Sequence, residues 1–426
     1  MMRLCVFEDS GAEDLEPIAL SRPVFDLWCG AATTLLRHRY YTQAEEVGVL
    51  VRPFLADLCR LQHPELFVND LAWLRSAATL LCNARWLPPL ERKEDLKTPH
   101  VGCVGDEVAY AVLPCELLTY CSANTIEDCI QTWKQRLPIR PAGGLMVRYP
   151  WHLIEANAQM LRQDCARSLV REGLLAPPEG VTILGPRDLL RVHPTARIEP
   201  YVVVDTTRGP VLVDQHAVIQ AFSRLAGPCY IGAEVQVLGG QVRGSSLGPG
   251  CRVGGEVEES IFQGFVNKYH EGFVGHSYIG AWVNLAAGVQ VGDLRHDYQP
   301  LRVSVAGQER DTGMMKLGSI LGDHTQVGLN ASLNPGTVAG VFCGLLPAGG
   351  YLPRTIPSFC AVWNGLLIEQ PSLAQLWNTA SIMMSRRGRE WTATHAALYR
   401  ALHERTAAHR RQVLRQREQR YLRLSA

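Results

Sequence analysis

An aliphatic residue recurs at every sixth position through much of the segment 196–346, and few folds accommodate that spacing. The register runs Val213, Ile219, Leu225, Ile231, Val237, then Ile279, Leu285, Val291, then Leu321, Val327, Leu333, Ala339, Leu345. A period of six fits neither the ~3.6-residue period of a helix nor the two-residue alternation of a hairpin strand. It fits a β-helix of short strands and corners, in which each ladder residue points inward and stacks on its counterparts in neighbouring coils. Glycine often follows the ladder residue, as in Ile231-Gly232, Ile279-Gly280, Leu321-Gly322 and Val327-Gly328, and 25 of the 38 glycines fall between Gly227 and Gly350. The small residue is expected to let the backbone turn. The ladder stops after Val291 and resumes at Leu321, so Asp293 to Lys316 reads as an excursion from the coil.

The rest of the chain has a different texture. A length of 426 residues predicts two or three domains, each with its own core. Short aliphatic strands such as Leu4 to Phe7 and Thr79 to Cys82 alternate with helical stretches such as Trp151 to Arg171. Pro177, Pro178, Gly180 and Gly185 then punctuate the chain. The expected organisation is an α/β domain over 1–185, a β-helix over 186–370 and a helical tail over 371–426. The tail carries 11 Arg against 3 Glu, so the net charge of +1 conceals an acidic body joined to a basic helix. A basic helix can touch nucleic acid or an anionic membrane, but packing on or between subunits is the favoured role.

Several classes of function are set aside. A near-zero total charge makes no case for a nucleic-acid binder, and none is expected as a partner. No apolar run is long enough to span a membrane, and MMRLCVFEDS lacks the pattern of a secretory signal. The 13 cysteines are odd in number and form no CxxC pair, which suits small buried hydrophobes in a reducing cytoplasm better than zinc or disulfides.

Potentially reactive side chains gather where the hexad register breaks: Asn267, Lys268, Tyr269, His270 and Glu271, then His276 and Asn284. A histidine at a break in a repetitive wall can serve as a general base at neutral pH. His270 is the leading candidate, with His276 and His324 as rivals. Lys268, close to such a base, could hold a substrate phosphate.

The stretch NKYHEGFVGHSYIGAWVNLAAG, continued by DLRHDYQPLRV and GSILGDHTQVGLNASLNPGTVAG, resembles a bacterial family of sugar nucleotidyltransferases. That family is related to the bifunctional N-acetylglucosamine-1-phosphate uridyltransferase/glucosamine-1-phosphate N-acetyltransferase. The resemblance implies a left-handed parallel β-helix, usually trimeric, that binds acetyl-CoA and an amino-sugar phosphate between subunits. It places the catalytic histidine at His270, fourteen residues before Asn284. It implies a substrate contact at Asn267, positioning of the sugar by Asn284, a role for Lys268 at the phosphate, and an acyl-CoA path near Ala287. Phe273 replaces a tyrosine of the bifunctional enzymes. Phe7-Glu8-Asp9, EPIALSRPVFDLWCG and YPWHLIEAN extend the resemblance to a Rossmann-like domain that exchanges a nucleoside triphosphate and a sugar phosphate for a nucleotide sugar, with Mg²⁺ as the expected ion. The glycine-rich phosphate loop is missing there, Arg22 is the best remaining phosphate contact, and Asn83 stands where a metal-binding aspartate is common.

Overall fold

In a computed structural model, residues 3–91, 98–167, 179–305, 307–347 and 352–425 are described. They form two compact units: one of 1–15, 22–27 and 32–149, the other of 16–21, 28–31 and 150–426. The last part of the expected helix, 168–171, lies outside the described residues.

The first unit is built on a seven-stranded sheet, in the order Ile139–Pro141, His100–Val104, Glu107–Leu113, Thr79–Asn83, Arg3–Phe7, Glu46–Leu50, Phe67–Val68. Only Glu107–Leu113 runs against its neighbours. Arg3–Phe7 is buried at every position, as a central strand covered on both faces should be. The helix Ile126–Arg136 buries Ile126, Cys129, Ile130 and Trp133, a three-and-four spacing that makes one apolar stripe, and Trp133 meets Phe7 edge-on at 6.3 Å.

The second unit is a left-handed parallel β-helix whose three faces are parallel sheets. One coil shows the plan: Ile261–Phe262 on the first face, Asn267–Lys268 on the second, Gly272–Gly275 on the third, and Tyr278–Ile279 back on the first. Every ladder residue is buried in one continuous core. The excursion is a hairpin, Arg302–Val305 with Gln308–Asp311, while Tyr278–Ile279 pairs directly with Ser319–Leu321 across it.

The glycines act differently from expectation. Gly232, Gly280, Gly322 and Gly328 do not adopt left-handed backbone. The left-handed corner comes two residues later, at Glu234, Trp282, His324 and Asn330. A Cβ at Gly232 would lie 2.5 Å from the Leu247 carbonyl, so glycine there permits coils to stack closely. Left-handed backbone costs a non-glycine residue roughly 1–2 kcal/mol. Along one corner that cost is offset by ring stacking, since Phe265, Trp282, His324, Phe342 and Phe359 follow one another, with Phe265 and Trp282 only 4.2 Å apart.

The tail docks on these rings. Its helices Leu373–Ser385 and Ala393–Arg405 bring Trp377 and Tyr399 against Phe342, and Trp391 against His324. Arg410 is buried and pairs with Glu369 at 2.7 Å. Elsewhere in this unit Trp28 stacks on Tyr230, and Asn157 accepts from the Gly30 amide and the Ser246 hydroxyl. Parts of EPIALSRPVFDLWCG and YPWHLIEAN therefore act as packing elements of the β-helix unit.

Candidate functional site

In the first unit, the ends of Arg3–Phe7 and Thr79–Asn83 form the kind of sheet edge where open α/β folds collect ligands. A closed charge cluster occupies it. Arg85 donates Nε to Asp9 Oδ1 at 2.7 Å and Nη2 to Asp9 Oδ2 at 2.5 Å and to Glu107 at 2.9 Å. Asn83 donates its amide to Asp9 Oδ2 at 2.7 Å and accepts from the Arg85 backbone amide. A Cβ on Gly11 would fall 2.5 Å from the Arg85 guanidinium carbon, so the lone glycine of this loop makes room for Arg85.

A hard divalent cation needs open carboxylate oxygens and water. Both Asp9 oxygens are taken by Arg85, and Asn83 is fully buried. Among the described residues no group of three or more acidic, histidine or cysteine side chains could hold a metal. The cluster as arranged does not fit the expected Mg²⁺. Arg22 lies on the loop after the first strand; its carbonyl accepts from Arg52, which pairs with Glu8.

In the second unit, the corner between the second and third faces gathers most of the β-helix candidates. His270 is exposed, and among the described residues nothing hydrogen-bonds its imidazole. The following coil passes alongside, with the Gly288 amide donating to the Glu271 carbonyl at 3.0 Å. Ala287 is half-buried there, its carbonyl accepting from Asn330. On the adjoining outer face Asn267 Nδ2 donates to Asn284 Oδ1 at 2.8 Å.

Lys268 requires correction. Its register partner is Val253, and it lies six residues after Phe262 and six before Val274, so it fills an inward ladder slot and is 1% exposed. Its Nζ donates to the carbonyls of Gly254 at 2.8 Å and His270 at 2.6 Å. Burial pushes its pKa down from 10.5 to about 8. Such a lysine cannot reach a phosphate in solvent; it fixes the backbone of the His270 corner from inside.

The rivals part company. His324, 4% exposed, is stacked between Trp282 and Phe342, which makes it part of the packing. His276 Nδ1 meets Asp293 Oδ2 at 2.7 Å, both side chains keeping some exposure. Burial would raise the Asp293 pKa, but the bond to His276 and the charges of His276 and Lys316 hold it below the ordinary carboxylate value. A Cβ at Gly275 would sit 2.4 Å from that carboxylate, so only glycine leaves space for the pair. Asp293, Arg85 and Glu107 were not singled out from the sequence. Their one available signal was position, Asp293 where the ladder stops after Val291, Arg85 between two strands and Glu107 at the start of one.

Residues 4–170 match the family model described as sugar nucleotidyl transferase. The chain is 34% identical over 92 residues to a bifunctional sugar-1-phosphate nucleotidylyltransferase/acetyltransferase of Sulfurisphaera tokodaii, covering 22% of this chain and 23% of the relative. It is 33% identical over 88 residues to the bifunctional protein GlmU of Methanocaldococcus jannaschii, 21% of each chain. The corresponding protein of Methanococcus maripaludis is 33% identical over 85 residues, 20% of each. The match thus spans under a quarter of the length of these curated relatives.

Proposed function

We propose that the chain, whose residues 4–170 match the sugar nucleotidyl transferase model, is a transferase of sugar-nucleotide biosynthesis whose working site is the His270 corner of the β-helix. The observation that carries this reading is one corner that presents a solvent-open imidazole, a paired Asn267 and Asn284 beside it, and a buried Lys268 bonded to the His270 carbonyl. In this reading the donor is acetyl-CoA and the acceptor an amino-sugar 1-phosphate. His270 takes a proton from the amino group as its nitrogen attacks the thioester carbonyl. The tetrahedral intermediate then collapses, forming the amide and releasing the CoA thiol, with backbone amides facing the oxyanion. Asn284 orients the sugar, and Ala287 borders the acyl-CoA path. The open side of His270 is where a second copy would stand in a homotrimer, which sedimentation analysis would reveal. The first domain would bind nucleoside triphosphate or nucleotide sugar, with the Arg85 cluster opposing nucleotidyl transfer.

One preparation assayed for both activities tests the proposal: thiol release from acetyl-CoA with glucosamine 1-phosphate, and pyrophosphate release from UTP or dTTP with a panel of sugar phosphates. His270→Ala should lower thiol release by on the order of 10² or more. Thiol release unchanged in His270→Ala would overturn the assignment. A second reading rests on the His276–Asp293 pair, an imidazole beside the His270 corner held by a carboxylate in the manner of an oriented general base. That reading predicts loss in His276→Ala and little change in His270→Ala.

A further inference from the structure

Arg252, Asn267 and Asn284 occupy one register column on the outer second face of the β-helix. The end of tail helix Leu373–Ser385 closes over that column, with Gln326, next along it, bonded to Met383 Sδ. Between them lies a cavity of about 120 Å³, lined by Arg252, Asn267, Asn284, Met383, Arg386 and Arg387, among others. That is room for several water molecules, enough for a small anion.

Three guanidiniums border this cavity, and none of them forms an ion pair with a carboxylate among the described residues. Arg387 donates one bond to the Gly250 carbonyl at 3.1 Å, while Arg252 Nε is buried without a hydrogen-bond partner. Burial lowers the Arg387 pKa, and the like charges of Arg252 and Arg386 lower it further. The helix end above contributes about half an elementary negative charge, too little to balance three cations. Arg389, beside them, lies over the Phe265 ring at 5.4 Å. Gathering like charges is unfavourable unless something of opposite sign joins them, and guanidiniums suit phosphate through paired N–H donors.

We infer that this cavity is a phosphate-binding site, formed jointly by Arg252 of the β-helix and Arg386 and Arg387 of the tail. The basic tail thereby has a binding role beyond packing. Asn267 and Asn284 belong to both this cavity and the proposed acyl-transfer site, but phosphate binding is measured without acetyl-CoA and stands or falls apart from the chemistry at His270. The phosphate could belong to a sugar phosphate, to the 3′-phosphate of CoA, or to free phosphate, and competition separates these sources.

The test uses the full chain, with inorganic phosphate titrated by calorimetry at low salt. Saturable binding is expected, weakened roughly tenfold or more in Arg252→Gln and in Arg387→Gln. Mass-spectrometric mapping of arginine modification by phenylglyoxal in the unaltered protein should show Arg252 and Arg387 protected by phosphate, a readout that survives if either variant fails to fold. Displacement by glucosamine 1-phosphate would identify a sugar-phosphate seat. Displacement by CoA but not by dephospho-CoA would identify the 3′-phosphate, and displacement by neither would leave free phosphate as the ligand. No saturable binding, or binding and modification indifferent to these arginines, would overturn the inference.

Discussion

Arg85 in the α/β unit and Arg252 with Arg387 in the β-helix unit are guanidiniums at the two candidate sites, and their surroundings differ in kind. Arg85 is 4% exposed and held by Asp9, Glu107 and the Val147 carbonyl. Arg252 and Arg387 face each other's charge across a cavity that presents no carboxylate. The difference teaches that a cation near a candidate site says little until its neutralisation is known. The Arg85 site is internally satisfied and offers little to an incoming phosphate, whereas the β-helix cavity is left with positive charge that a ligand can answer. The domain matched by the nucleotidyl transferase model thus contains the more closed of the two charge arrangements.

The largest expected effect breaks the satisfied side. Removing Asp9 leaves Arg85 buried beside a single carboxylate, Glu107, and stranding a buried charge costs about 3–5 kcal/mol. Asp9→Ala should therefore lower the denaturant midpoint of the α/β unit strongly, and Asp9→Asn less, because the amide oxygen still accepts from Arg85. If Asp9→Ala left stability unchanged while abolishing a measured pyrophosphate release, the cluster would be catalytic machinery and the contrast would collapse.

Lys268 offers an intermediate case, a buried cation answered only by carbonyl dipoles. Its folded pKa of about 8 lies below its ordinary value of 10.5. Between those values the unfolded chain binds more protons than the folded one, so stability should rise with pH across that window. The rise should reach roughly 3 kcal/mol by the end of the window. Lys268→Met places an apolar side chain in the ladder slot and should remove this pH dependence, read as the slope of unfolding free energy from pH 8 to 10.5. A slope that persists in the variant would show that another group titrates there.

How much of this could be read from the chain depends on how local the signal is. The β-helix was legible because its period repeats along the sequence, and Arg3–Phe7 and Thr79–Asn83 because short buried strands carry their own aliphatic signature. Lys268 was legible in principle, since Phe262 and Val274 bracket it at the ladder spacing. Its polarity pointed to the surface instead, and only its register partner Val253 shows that it turns inward. The role of the glycines was misread because close approach between coils and left-handed backbone both favour the same residue. The Arg85 cluster joins positions 9, 83, 85 and 107, and the cavity joins position 252 to 386 and 387. No periodicity links such distant positions; strand order creates the first and docking of the tail on the aromatic corner creates the second.

The smallest effect would convert one environment into the other. Arg252→Glu places a carboxylate beside Arg387 and Arg386, imitating what Asp9 does for Arg85, although the negative end of the tail helix above works against part of the gain. Relief of like-charge repulsion and a partly exposed ion pair together should raise stability by only about 0.5–1 kcal/mol. Calorimetric phosphate binding should vanish in the same variant, because the cavity would then supply its own anion. Stabilisation together with loss of binding is the signature of a site whose unbalanced charge exists for a ligand. If Arg252→Glu instead destabilised the protein and left phosphate binding intact, Arg252 would be a packing residue, and the two regions would not differ as their charge arrangement implies.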